Sequence, residues 1–104
     1  MASHPELFIV MIDYGKLGRE AVVDPNHSWA DALTAVREAR DDGKAVSYVL
    51  HVHDGVSEDR SEEAFRTVMT ELADDPYGIT DNQYAWIELH VSQQAANSFR
   101  RIAA

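Results

Sequence analysis

Residues Tyr84 to Val91 read YAWIELHV, and how this stretch is wound decides the fold. Wound as a helix at about 100° per residue, Ala85, Trp86, Ile87, Leu89 and Val91 scatter around the whole cylinder. Wound as a strand, Ala85, Ile87, Leu89 and Val91 fall on one face and Tyr84, Trp86, Glu88 and His90 on the other. Thr80 followed by Gln83 offers a capping box and keeps a helix in play. The alternation favours a fourth strand. Downstream, Ser92 caps a terminal helix with Ala95, Ala96, Phe99 and Ile102 inward and Arg100 and Arg101 at its C-terminal end.

Upstream, Asp75-Pro76-Tyr77-Gly78 stops a helix that Ser61 caps. Glu62 and Glu63 sit in its first turn, and Ala64, Phe65, Val68, Met69, Leu72 and Ala73 form its buried stripe. Asp54-Gly55 before it is a turn signal. Ala45 to His53 alternates as a third strand. Val46, Tyr48, Leu50 and Val52 point one way, and Ser47, Val49, His51 and His53 the other. A first helix covers Trp29 to Asp42, capped by Ser28 and closed by Gly43. The apolar run Leu7 to Asp13 (LFIVMID) is the first strand. It joins a second, Arg19 to Asp24, through the glycines of Tyr14-Gly15-Lys16-Leu17-Gly18. The order ββαβαβα predicts an α+β domain spanning residues 1–104, a mixed four-stranded sheet with its helices mainly on one face. If strands three and four are parallel neighbours across helix two, their crossover should be right-handed.

The 104 residues, 45% of them hydrophobic and 26% charged, suffice for one core and not two. No apolar run approaches a membrane span, and Met1 to Glu6 lacks the features of a signal peptide. The chain has no cysteine, which excludes thiolate metal sites, disulfides and cysteine nucleophiles and agrees with a cytoplasmic setting. A net charge of −9 disfavours direct binding of nucleic acid or anionic membrane. There is no phosphate-binding glycine loop and no nucleophile elbow.

Three groups of residues remain as candidates. Residues 54–88 hold ten acids and two bases. Asp74 and Asp75 stand at the end of helix two and Asp41 and Asp42 at the end of helix one, where the helix dipole disfavours carboxylates. Glu58, Asp59, Glu62, Glu63, Asp74 and Asp75 are therefore the expected contact residues for a basic protein partner, although a plain solvated face accounts for much of the pattern. Second, the sheet face away from the helices is expected to carry Val49, Tyr84 and Trp86, and to be covered by a second copy of the chain or another protein. Third, His51 and His53 share one strand face. If the two Leu-His-Val triplets lie side by side, His90 joins them in a geometry suited to zinc. Polar residues on a half-exposed sheet face are the plainer reading of these histidines.

The leading expectation is a non-enzymatic protein-binding module, without a cofactor, whose acidic surface engages a basic partner. An inhibitor of a nucleic-acid-binding protein, of the phage or mobile-element type, is one form this would take on composition alone. The alternatives are a small zinc-dependent enzyme using His51, His53 and His90, or a dimeric domain that binds a small ligand.

Overall fold

The computed structural model describes residues 6–23 and 28–102. The chain runs through strands β1 (Leu7–Asp13) and β2 (Arg19–Val23) into helix α1 (Trp29–Asp42). Strands β3 (Ala45–His53) and β4 (Val56–Asp59) follow. Helices α2 (Ser61–Thr70), α3 (Asp81–His90) and α4 (Gln93–Asn97) complete it. The sheet order is β2-β1-β3-β4 and every neighbouring pair is antiparallel. The class is α+β, with four strands and the helices packed on one face, as the sequence predicts. The sheet is antiparallel rather than mixed, and its fourth strand is Val56–Asp59.

Residues 84–91 are the correction. Thr80 caps α3: its Oγ1 accepts from Gln83 N–H at 3.1 Å, and its own N–H donates to Gln83 Oε1 at 2.8 Å. The stripe escapes an apolar count because two inward residues are amphipathic. Tyr84, Trp86, Ile87, His90 and Val91 turn toward the molecule, a continuous arc of the helix surface, while Ala85 and Leu89 face out. With no strand there, the parallel crossover does not arise. β4 instead pairs back on β3 through Asp54 and Gly55, whose φ of 51° and 76° make the twisted two-residue turn that a hairpin favours.

Phe8, Val10 and Ile12 of β1 point into the core with Val46 and Val49 of β3. Ala32, Val36 and Ala39 of α1, Phe65 and Val68 of α2 and Trp86 and Ile87 of α3 pack against them. Val46 and Val49 share this face although they are three residues apart, because the β1–β3 register shifts between Met11 and Ile12. The predicted grouping of Val46 with Tyr48 fails for that reason.

α1 has the expected ends. Ser28 and Asp31 form a capping box, and Gly43 closes the helix at φ 70° while Lys44 N–H reaches back to Ala39 O at 2.8 Å. α1 is clamped to α2 by Arg40, 5% exposed, which donates to Val68 O at 2.6 Å and Glu71 Oε1 at 3.1 Å. Arg37 adds two further bonds to Glu71, at 2.8 and 2.6 Å. The terminal helix is shorter than predicted. After α4 the chain extends alongside Ile79, so Ile102 is exposed and the two terminal arginines lie beyond the helix end. No described helix is long and apolar enough to cross a membrane.

Candidate interaction face and histidine cluster

Strand alternation divides β1 and β3 between two surfaces. While Phe8, Val10 and Ile12 face the helices, Leu7, Ile9 and Met11 face away, paired in register with Val52, Leu50 and Tyr48. An antiparallel sheet with one solvated face ordinarily turns polar side chains outward. Here six neighbouring outward positions on the two central strands are apolar, and all six are partly exposed. At one end of this face Asp13 pairs with Arg19 and Ala45.

The residues expected to form that face lie elsewhere. Val49 and Trp86 are in the core, 0% and 2% exposed. Trp86 meets Phe65 edge-on at 5.5 Å between ring centroids. Tyr84 donates its hydroxyl to Asn97 Oδ1, and Arg101 stacks over its ring at 4.3 Å. Helix α3 carries Tyr84 and Trp86 away from the sheet's open face, and the β1–β3 register shift brings Val49 onto the core side with Val46. The open apolar face persists with different members.

The six acids fall into two groups at opposite ends of α2, a helix about 15 Å long. Most have local work. Glu58 accepts from His53 Nε2 at 2.8 Å, which holds its carboxyl below the ordinary range. Asp59 Oδ1 accepts from Ser61 N–H at 2.8 Å, and its bonds to Ser61 lower its pKa as well. Glu62 pairs with Arg66 at 3.2 Å and Glu63 with Arg60 at 2.9 Å. Asp75 accepts from Tyr77 N–H at 2.8 Å, forming the turn that leaves the helix, whereas Asp74 is simply exposed. Asp41 pairs with Arg40 at 2.8 Å and accepts from Gln83 at 3.0 Å; Asp42 lies 3.8 Å from Lys44. Local partners thus offset the dipole at three of the four helix-end acids.

The histidines separate. His51 and His53 stand together on β3, ring centroids 4.5 Å apart, with Phe8 stacked on His51 at 4.4 Å. Glu58 lies opposite His51 in the ladder. His51 Nε2 is 2.5 Å from Glu6 Oε1, and His53 Nδ1 is 3.7 Å from Asp54. The bond to Glu58 raises the His53 pKa. Ligand atoms of His51, His53 and Glu58 all lie within 4.8 Å of one another. Glu58 was singled out in the sequence for charge alone; the hairpin that brings it to the histidines has a polar second strand, Val-Ser-Glu-Asp, with no apolar signature.

His90 does not join them. It belongs to α3, and its Nε2 accepts the N–H of Val46, at 2.8 Å. Val46 lies five residues from His51 along β3, about 16 Å of strand. His90 Nδ1–H donates to Trp86 O at 2.7 Å, and the ring stacks on Trp86 at 4.0 Å. Burial pushes its pKa down, so the ring is neutral. It satisfies the backbone N–H of Val46, beside the register shift, a structural role.

In comparisons with known proteins, no family model, curated protein or solved structure matches this chain. Its own geometry therefore carries the functional reading. An open hollow of about 440 Å³ beside α2 and α3 is lined by Asp59, Ser61, Glu62, Phe65, Arg66, His90 and Val91. Its charged groups are already paired with one another or with local backbone.

Proposed function

We propose that the chain is a non-enzymatic protein-binding module that pairs with a second copy through the open face of its sheet. The observation that carries this is the run of six outward apolar side chains on β1 and β3, Leu7, Ile9, Met11, Tyr48, Leu50 and Val52. Contiguous apolar surface of this kind marks interaction sites on soluble proteins. An apolar centre is also what a twofold interface needs, since each patch meets its own copy.

Back-to-back pairing of two sheets turns both helical layers outward. The net negative charge of residues 54–88 then faces solvent on both sides of the dimer. Such a particle attracts a Lys- and Arg-rich protein, with association that is fast at low salt and slows as salt rises. The acids near the start of α2 and those near its end would act as separate contact points in this reading.

Sedimentation equilibrium across a wide concentration range tests the pairing. The wild-type chain should give a dimer mass, and Leu50→Lys, which sets an ammonium at the centre of the face, should give a monomer with an unchanged circular dichroism spectrum. A wild-type chain that stays monomeric at the highest concentrations would reject the proposal. For the basic partner, reversing Glu62, Glu63 and Asp74 to Lys should slow association several-fold at low salt while the dimer persists. Unchanged association would reduce these acids to a solubilising surface.

A further inference from the structure

We propose that His51, His53 and Glu58 form a binding site for a divalent transition-metal ion, zinc being the best match. The site is independent of how the chain pairs with its partners. The three residues belong to one hairpin. His51 and His53 are two apart on β3 and so share a face, and Glu58 lies directly opposite His51 on β4. Their ligand atoms lie within 4.8 Å of one another, close enough for small side-chain rotations to bring them to coordination distance. Two imidazoles and a carboxylate suit zinc, with a fourth position left for water or another ligand.

A second observation is the state of the His51 ring. Its Nε2 donates to Glu6, while its Nδ1 is buried with no hydrogen-bond partner. An imidazole that gives one N–H to a carboxylate and keeps a free lone pair on the other nitrogen is arranged as metal-bound histidines are. His53 has a carboxylate near each nitrogen, Glu58 at 2.8 Å from Nε2 and Asp54 at 3.7 Å from Nδ1, and an ion seated between His53 and Glu58 would take the place of the proton they share. Glu6, Asp54 and Glu58 together bring three negative charges around the two rings, which favours a dication. Exposure grades from 13% at His51 to 33% at His53 and 44% at Glu58, so one wall of the site is anchored against Phe8 and the other is open to an entering ion. A bound ion would join the two strands of the hairpin and stabilise the short β4.

The test is titration of the untagged, refolding-competent chain with zinc chloride alone, read by calorimetry and by the imidazole nitrogen resonances of the folded protein. The expected result is one ion per chain in the low micromolar range, with shifts confined to His51 and His53. His53→Ala and Glu58→Gln should each weaken binding about tenfold or more. Both replaced side chains are partly exposed, so the fold is retained, and the resonances of the native chain give the assignment without any variant. Binding weaker than millimolar, shifts at other histidines, or equal affinity in His53→Ala would overturn the proposal.

Discussion

Replacing His90 with alanine perturbs a single side chain that serves the sheet, the bulge and α3 together. The substitution leaves the Val46 N–H without its acceptor, and a buried unsatisfied donor costs about 1–3 kcal/mol. It also removes a ring stacked on Trp86 and 4.9 Å from Phe65, about a further 1–2 kcal/mol of packing. Alanine's better helix propensity returns roughly 0.5 kcal/mol. The net loss is about 2–4 kcal/mol, a large part of a typical domain's 5–15 kcal/mol. Acidification adds a signature. The folded state holds the His90 pKa below its ordinary 6.5, so the unfolded chain binds the proton more readily. Wild-type stability from this group is complete above about pH 6.5 and is lost as pH falls toward the folded value. The slope is at most about 1.4 kcal/mol per pH unit for one proton, and less because water partly screens this half-buried ring. Urea unfolding followed by circular dichroism, for wild type and His90→Ala between pH 7.5 and 5, reads both effects. The stability gap between the two should shrink on acidification. A gap below about 0.5 kcal/mol at pH 7.5, or one that widens as pH falls, would refute the structural role of His90.

Three further substitutions probe the frame. Gly78 has φ 95°, and a Cβ there would stand 2.2 Å from the Arg100 carbonyl oxygen, so Gly78→Ala should lower stability by about 1–3 kcal/mol in the same urea assay. Glu71→Gln removes the carboxylate that the arginine pairs hold below the ordinary range, while Asp41 and the Val68 carbonyl still hold Arg40; a loss of about 1–2 kcal/mol at pH 7 is expected, shrinking as pH falls below the ordinary glutamate value toward the lower folded one. Trp86→Ala should cost about 3–5 kcal/mol in thermal unfolding yet leave the association state of the folded fraction unchanged, because the indole is in the core and not on the open face.

Most of the frame is legible in the sequence because local signals and burial agree there. LFIVMID is a strand by any reading, Ser28 and Gly43 bracket α1 as capping chemistry requires, and Asp54-Gly55 marks the turn that ends β3. The errors cluster where a polar group is buried or an apolar pattern is absent. His90 counts as polar in a periodicity search, yet it is an inward residue of α3 because Val46 and Trp86 satisfy both its nitrogens. Removing it from the inward set hides the helix and promotes the strand. The Thr80–Gln83 box is the local signal that marks the helix, and the competing alternation extends over only eight residues. β4 is invisible for the opposite reason: an edge strand of Val-Ser-Glu-Asp has no apolar face to detect. The open sheet face was legible as a property, since β1 is apolar on both sides, but its membership depended on the bulge near Ser47. Pairing His51 with His53 follows from spacing alone, whereas Glu58 reaches them only through the hairpin.

Pairing through the open face is tested most directly by contacts between protomers. A mixture of isotope-labelled and unlabelled chains, studied by filtered nuclear Overhauser spectroscopy, reports only protons that face each other across the interface. Contacts should connect the side chains of Ile9, Met11, Leu50 and Val52 on one protomer with the same group on its partner. An absence of intermolecular contacts at millimolar concentration, or contacts arising from the α2 surface instead, would contradict it.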